Sequence, residues 1–306
     1  MAAITAKLVK ELRDATSAGM MDCKKALSEN DGDIEKAIDW LRMKGIAKAD
    51  KKAGRVAAEG LVAFETDATS GVLVEVNSET DFVARNDGFQ AAVAKVATAA
   101  LGVSNTEELR EAHVEGKTVT DYLTSLVAKI GENMSLRRMA KLSVSAGVVS
   151  GYIHNSVAPG MGKIGVLVAL ESTGDQAALG ALAKKIAMHI AATSPLALTT
   201  DDLDQDLVAK ERKALKDEAI ESGKPEAIVD KMVEGRMVKF FKESVLMTQM
   251  FVMDPDHNVE TIIANEAKSL GADIKMTGYV RMEVGDGIEK KEEDFAAEVA
   301  AAVAGS

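Results

Sequence analysis

Few residue types in this sequence could support covalent chemistry, and the most suggestive group is a glycine-lysine segment, Gly160-Met161-Gly162-Lys163. A phosphate-binding loop would need a glycine five residues before Gly162, where Val157 lies, and a serine or threonine after the lysine, where Ile164 lies. The segment also comes before a predicted strand and does not join a strand to a helix. We therefore expect these glycines to shape a hairpin turn.

Cys23 is the single cysteine, and Lys24 and Lys25 beside it would favour its thiolate form. No histidine is near it in sequence, so a structural role is favoured over a thiol enzyme, which stays as an alternative.

The four histidines are widely spaced and form no metal-binding pair: His113, His154, His189 and His257. His189 lies within a predicted helix and is expected to be a packed or capped residue, whereas His154 ends a predicted strand. We predict no catalytic residue, no metal site and no cofactor.

The composition narrows the class of partner. The chain has 37 basic and 48 acidic residues, a net charge of −11, and only 4% aromatic residues. Both values argue against direct nucleic-acid binding, which needs clustered positive charge or stacking side chains. No run approaches the roughly 18 apolar residues that would cross a membrane, and a lone cysteine fits a reducing compartment. We expect a cytoplasmic protein of two or three packed units.

The first part of the chain has the pattern of a three-helix module. Apolar residues recur at helical spacing over Ile4–Leu12, Gly19–Leu27 and Asp33–Met43. The cluster Asn30-Asp31-Gly32-Asp33 is expected to end the second helix and to cap the third. Five basic residues and one acid follow between Lys44 and Arg55, and a solvated linker is favoured there over a contact with an acidic partner. The module and linker are assigned to residues 1–54.

An internal repeat of a hairpin followed by a helix fills much of the remainder. Both copies have a glycine-led apolar strand and a following helix with the same apolar phase. The segments of the first copy are Gly60–Phe64, Gly71–Val76 and Phe89–Ala100, and those of the second are Gly151–Ile153, Gly165–Leu170 and Leu179–Ile190. We assign the first half of the core to residues 55–145 and the second to residues 146–284.

The two copies differ in length between strand and helix. Their helices match at an offset of 90 residues, as Phe89 does with Leu179, and their strands match at 94, as Gly71 does with Gly165. The first copy therefore has four extra residues, which fall within 77–88. An added loop of this kind is a common site of function.

The side chains in this added loop have two interpretations. Asp81 could cap a short helix and Phe82 could be a core aromatic, and the pattern alone favours this view because apolar residues are usually buried. The four-residue excess favours a contact site instead. Met20 and Met21 have the same ambiguity, because methionines fill cores and line binding surfaces equally well.

The last part of the chain completes an α+β protein. Residues 200–244 are charged and helical with a break at Gly223-Lys224-Pro225, which predicts a projecting helical hairpin that could serve as a dimerisation arm. A helix is expected near Val259–Ser269 and a strand around Gly278–Val284. A helical tail, Phe295–Ala304, belongs to a last segment, residues 285–306.

Several long motifs, in order, resemble the elongation factor Ts family over nearly all 306 residues. They are Leu12-Arg13, Ser17-Ala18-Gly19-Met20-Met21-Asp22-Cys23-Lys24-Lys25-Ala26-Leu27, Glu75-Val76-Asn77, Thr80-Asp81-Phe82-Val83-Ala84, Ile164-Gly165-Val166-Leu167 and Glu234-Gly235-Arg236-Met237. Two features depart from the family pattern. Ser17 stands where glycine is frequent, and the turn Asn155–Lys163 is longer than usual, which could reposition His154.

The resemblance implies a guanine-nucleotide exchange factor that binds elongation factor Tu, both GDP-bound and nucleotide-free, and acts without covalent chemistry. Its N-terminal module would resemble a ubiquitin-associated domain. An alternative of a different class is a ubiquitin-like-binding or scaffold protein that uses this module. The Thr80–Val83 loop would disturb the partner's magnesium site, with Asp81 and Phe82 entering it. Further contacts are implied for Arg13, Met20, Met21, Ile130, His154, Val252 and Met253. The helical arm could form a homodimer or a heterotetramer with the partner.

Overall fold

The N-terminal helices of the computed structural model, which describes residues 4–16, 18–223 and 225–289, pack around a small core of their own. The core consists of Leu12, Cys23, Ala26, Leu27 and Ala37. The helices are α1 (Ala6–Thr16), α2 (Met20–Glu29) and α3 (Ile34–Asp50). The Asp33 carboxylate accepts a hydrogen bond from the Lys36 backbone N–H and so caps α3, as predicted.

The segment predicted to be a solvated linker begins as helix, because α3 continues seven residues beyond Met43. The C-terminal part of α3 packs against α7 (Val119–Ile130), and a Cβ atom added at Gly45 would lie 3.2 Å from the Ala128 Cβ. Ala49 packs on the core of the following unit. Small residues on one face of α3 therefore join the module to the rest of the protein, and the linker interpretation was wrong for residues 44–50.

The next unit, the first half (Glu59–Ser143), combines a three-stranded antiparallel sheet with helices. Strand β2 lies between β1 and β5, and helices α5 and α7 contribute to the core with Phe89, Val93, Val119 and Leu123. Its elements are β1 (Glu59–Thr66), β2 (Ser70–Ser78), α4 (Asp81–Ala84), α5 (Asp87–Ala100), α6 (Thr106–Glu111), β3 (His113–Val114), β4 (Lys117–Thr118), α7 and β5 (Met134–Ser143).

The second half (Gly147–Glu283) repeats this plan, with β7 between β6 and β10. Its elements are β6 (Gly147–Ala158), β7 (Met161–Glu171), α8 (Gln176–Thr193), α9 (Gln205–Glu221), α10 (Glu226–Ser244), β8 (Met250–Phe251), β9 (Asp254–Asn258), α11 (Val259–Leu270) and β10 (Lys275–Glu283). The fold is α+β with N-terminal helices, which confirms the predicted class.

The repeat extends further than the sequence pattern indicated. Helices α7 and α11 are both 12 residues long, both follow a short hairpin, and both end at a left-handed glycine, Gly131 or Gly271. Gly271 follows Gly131 by 140 residues in the sequence. The hairpin register also corrects one detail. Gly60 pairs with Asn77 and Gly147 pairs with Glu171, so Gly147, not Gly151, is the counterpart of Gly60.

The two halves pack closely because both central strands contain a glycine at the shared face. A Cβ atom on Gly71 would lie 2.7 Å from the Val149 Cγ1, and one on Gly165 would lie 2.6 Å from the Val62 Cγ1. A buried cluster from both halves surrounds them, including Leu73. These matched glycines therefore set the distance between the halves.

The segment Asn155–Lys163 is not a long turn, because β6 and β7 continue through most of it. The chain reverses at Pro159-Gly160, as expected for a hairpin. The extension of β7 then pairs with β1, with Val62 opposite Gly162 and Ala63 opposite Met161. The glycine-lysine segment thus joins the sheets of the two halves.

Helices α9 and α10 form the predicted helical hairpin. Three ion pairs cross between them: Arg212 with Glu234, Lys216 with Asp230 and Arg236 with Glu218. Apolar contacts at the base, around Leu203 and Val245, fix the hairpin to the body. Ser17 and the predicted tail Phe295–Ala304 lie outside the described residues.

Candidate functional site

The added loop of the first half is a single helical turn, α4, with an exposed aromatic ring. Thr80 is extended and precedes the turn, whereas Val83 and Ala84, within the turn, are buried. The Phe82 side chain is 78% exposed, so the interpretation as a core aromatic was wrong. Asp81 lies in the first helical turn and its carboxylate is 3.6 Å from the Arg85 guanidinium. The turn therefore presents one ring and one carboxylate to solvent.

Two carboxylates hold this turn against the end of α7. The Thr80 backbone N–H and hydroxyl both donate to the Glu132 carboxylate, at 3.0 and 2.8 Å. In the reverse direction, the Asn133 backbone N–H donates to the Glu79 carboxylate, which also pairs with Arg55 at 3.3 Å. Sequence reasoning missed Glu132 because it is distant in the chain and belongs to no motif.

These contacts bring one more predicted site residue close to the Thr80–Val83 turn. Ile130 is the last residue of α7, two positions before Glu132, and it packs partly buried on the first-half core. The structure therefore places Ile130 beside the segment that anchors Thr80.

A second exposed apolar turn lies in the second half, between β8 and β9. Its two residues are Val252 and Met253, with exposed fractions of 56% and 45%. The equivalent turn of the first half, between β3 and β4, is Glu115-Gly116. Exchange of a charged residue and a glycine for two large apolar residues marks this turn as a second difference between the copies.

The buried histidine of α8 supports the Val252–Met253 turn. The Val252 backbone N–H donates to the His189 Nδ1, 3.2 Å away, and the His189 Nε2 lies 2.9 Å from the Gln249 Oε1. Burial holds the pKa of His189 below its ordinary value of 6.5, and the hydrogen bond to Gln249 opposes this only in part. The expectation that His189 is packed is confirmed.

His154 is exposed at the point where the second hairpin becomes longer than the first. It pairs with Ile164 in the sheet, and its Nδ1 is 3.2 Å from the Tyr152 hydroxyl. Tyr152 itself packs against the cluster that contains Phe251. His154 and the Val252–Met253 turn are thus attached to the same second-half core.

The remaining site residues lie on the N-terminal module. Met20 and Met21 begin α2 and are 60% and 74% exposed, so they are not core residues. Arg13, in the last turn of α1, is also exposed. Cys23 is buried, with its thiol 3.7 Å from the Ala18 carbonyl oxygen, which it can reach as a donor. This placement supports a structural role for the thiol.

Two features are absent from the described residues. No three His, Cys, Asp or Glu side chains within residues 4–16, 18–223 and 225–289 are grouped so that they could hold a metal ion. None of the helices in these ranges is both long and apolar enough to cross a membrane.

The fold and the site define a two-halved α+β protein that presents apolar side chains on short, well-held turns, an arrangement suited to binding another protein. The sequence profile described as Elongation factor TS matches residues 79–286. The chain is 60% identical over 305 residues to Elongation factor Ts of Sphingopyxis alaskensis, with 99% of both chains covered. It is 57% identical over 306 residues to that of Caulobacter vibrioides, with 98% of both covered. The chain belongs to the elongation factor Ts family and is therefore a translation elongation factor.

Proposed function

We propose that this protein binds elongation factor Tu in its GDP state and accelerates the exchange of GDP for GTP through the Thr80–Val83 turn. The observation that carries the proposal is Phe82, a large aromatic side chain exposed on a turn that is present in one half and missing from the other. Exposed aromatic residues on rigid elements are typical anchors of protein interfaces.

The turn contributes in two ways. Burial of the Phe82 ring in an apolar slot of the partner would yield roughly 1.5–3 kcal/mol. Because Glu132 already holds Thr80, little conformational entropy is lost when the turn binds. This binding energy can then be coupled to movement of the partner's elements around its magnesium ion.

The Asp81 carboxylate acts on the ion itself. A GTPase holds its nucleotide through backbone donors, a lysine and a magnesium ion that bridges the phosphates. A negative group directed at the magnesium shell competes with the phosphates for the ion. Loss of the magnesium ion then leaves the phosphate charges unscreened. GDP then dissociates without any covalent step, so the protein is an exchange factor and not an enzyme of bond chemistry.

Contacts outside the turn supply affinity and hold the partner between elements. On the N-terminal module these are Arg13, Met20 and Met21, which would dock on the GTPase domain. On the two halves they are Ile130, His154, Val252 and Met253. The exposure of the methionines and of the Val252–Met253 turn supports these roles.

Linkage makes the coupling reciprocal. If the factor weakens nucleotide binding, bound nucleotide weakens factor binding by the same ratio, so incoming GTP expels the factor. The proposed setting is the cytoplasm, and helices α9 and α10 are the proposed surface for a homodimer or for a heterotetramer with the partner.

The test is release of a fluorescent GDP analogue from purified elongation factor Tu. Catalytic amounts of this protein should accelerate the release, and excess unlabelled GTP should complete the exchange. Absence of acceleration at saturating factor would contradict the proposed function. Mass measurement of the factor alone and with its partner tests the stoichiometry.

A further inference from the structure

The turn between β8 and β9 lacks the backbone conformation of its counterpart, the turn between β3 and β4. In the first half, Glu115 and Gly116 both have positive φ, 52° and 77°, the conformation of a tight hairpin turn that matches strand twist. Neither Val252 nor Met253 has positive φ, and the β8–β9 register is irregular next to the turn. A β-branched residue such as Val252 disfavours the left-handed region. A two-residue turn that lacks this match to strand twist depends more on contacts from outside it.

The contact comes from His189, and hydrogen-bond donors and acceptors fix its direction. The Val252 backbone N–H is a donor only, so the His189 Nδ1, 3.2 Å away, accepts and carries no proton. At the other end, the Gln249 Nε2 donates to the Glu243 carbonyl oxygen at 2.7 Å. The Gln249 Oε1 therefore faces the His189 Nε2, which carries the ring proton and donates to it.

The surroundings make this arrangement rigid. His189 and Gln249 are both buried, and the Thr193 hydroxyl also donates to the Gln249 Oε1 at 3.0 Å. The Phe251 ring, next to the turn, packs 5.4 Å from the His189 ring. Each polar side-chain atom of this buried network has a hydrogen-bond partner, which favours this conformation over alternatives that leave such an atom unpaired.

The first half supports its turn differently, with a solvent-exposed ion pair between Lys95 of α5 and the Glu115 carboxylate, 2.5 Å apart. At the helix offset of 90 residues, the counterpart of His189 is Ala99. Ala99, Val114 and Glu115 line a shallow, open cavity between α5 and the β3–β4 hairpin, where the second half has the rings of His189 and Phe251. The histidine thus occurs in the half that carries the exposed apolar turn and not in the half with the polar turn.

We infer that His189 is a positioning residue for partner binding, whose Nδ1 holds the Val252–Met253 turn so that both apolar side chains face outward. The inference rests on the proposed function, since elongation factor Tu is the partner that this turn would contact. The contacts of this turn with elongation factor Tu would be the same before and during GDP release. Their loss would therefore raise the Michaelis constant of exchange and leave the maximal rate unchanged.

Two substitutions of His189 distinguish the roles of its two ring nitrogens. In His189→Asn the side-chain oxygen can replace Nδ1 as acceptor for the Val252 N–H, and the contact with Gln249 is lost. In His189→Gln the longer amide can reach Gln249, and the acceptor for Val252 is lost. Each variant therefore keeps one buried hydrogen bond, and we expect similar falls in melting temperature.

The partner-binding readouts should differ between the two variants. His189→Gln should raise the Michaelis constant for the elongation factor Tu–GDP complex about fivefold, the value of one hydrogen bond, with the maximal rate unchanged. His189→Asn should stay closer to wild type. Hydrogen-exchange mass spectrometry of residues 248–256 in the free protein should show lost protection in His189→Gln alone.

Two results would overturn the inference: equal Michaelis constants in both variants, or equal protection of residues 248–256. The failure of the proposed function is distinct, because then wild-type protein would not accelerate GDP release at all. Phe82→Ala separates the cases further. If it lowers the maximal rate while both His189 variants bind like wild type, the exchange function stands and the positioning role does not.

Discussion

Glu132 binds Thr80 through two hydrogen bonds that join the end of α7 to the start of α4, at 3.0 Å from the backbone N–H and 2.8 Å from the hydroxyl. A carboxylate that accepts twice from one residue fixes both its position and its rotamer. Because Phe82 follows two residues later, this pair sets the direction in which the ring leaves the surface.

Substitution of Glu132 tests that relationship. Glu132→Ala should lower the exchange rate about tenfold, since each hydrogen bond to a charged group contributes roughly 1.5–3 kcal/mol and part of this orders the turn. Glu132→Gln should lie between alanine and wild type, because its single oxygen cannot serve both donors equally. Fluorescent-GDP release measures the effect. Wild-type rates in Glu132→Ala would show that the turn is ordered by other contacts.

Phe82→Ala should remove most of the exchange activity and leave the fold intact. Loss of roughly 1.5–3 kcal/mol of apolar burial in the complex corresponds to about a 10- to 150-fold effect. The free protein loses little, because the ring is exposed and makes no core contact. Melting temperature and circular dichroism should therefore stay at wild-type values. Leu196→Ala, at another exposed apolar residue, is the matched control and should not change exchange.

The exposure of Phe82 also shows what the sequence could predict. The repeat and its offsets identified the added segment correctly, since both hairpin-plus-helix units are present. Whether the ring faces inward or outward depends on Val83 and Ala84, which are the buried residues of α4. A local pattern of four residues cannot distinguish these cases.

The sequence pattern did not predict the second part of the repeat or the full length of α3. Strands β3 and β4 are two residues each, too short for a periodic signal, and the arm separates α8 from β8, which hides the second part of the repeat. The extension of α3 was missed because lysines dominate residues 44–52. The small residues Gly45 and Ala49, which make the contact with the core, are inconspicuous in such a segment.

Gly71→Ala and Gly165→Ala should each destabilise the protein by about 1–3 kcal/mol, the usual cost of an added methyl group in a packed core. Backbone and side chains of the facing half must move, because the new Cβ would come within 2.7 or 2.6 Å of a valine methyl group. Gly180→Ala in α8 is the control, since nothing lies within 4 Å of its Cβ and helix propensity favours alanine. Urea denaturation gives all three values. Unchanged stability at both tested positions would mean that the halves can separate without cost.

Glu75 gives the protein a defined response to acid. Its carboxylate is buried in β2, and burial alone would raise its pKa. The Gly285 N–H, Arg137 and Asn77 outweigh burial and hold the pKa below the ordinary value of 4.5. Since Gly285 follows β10, the group also ties the first half to the end of the second.

The sign of the effect follows from the lowered pKa. The folded protein holds this carboxylate charged more strongly than the unfolded chain does. Its contribution to stability is therefore complete above pH 4.5 and is lost as the pH falls through the folded pKa. Glu75→Gln cannot titrate, so its stability should decline less steeply below pH 4.5. At pH 7 it should be less stable by about 2 kcal/mol, the value of lost hydrogen bonds to a charged group.

Urea denaturation at pH 7 and pH 4 measures both effects of Glu75→Gln. Glu65→Gln makes the same chemical change at a partly exposed position on the neighbouring strand and should keep the wild-type acid response. Arg137 and Arg138 remain partly exposed in the folded protein, so water can solvate them when the carboxylate is removed, which limits the loss at pH 7. An identical acid response in Glu75→Gln and wild type would assign the pH dependence to other carboxylates.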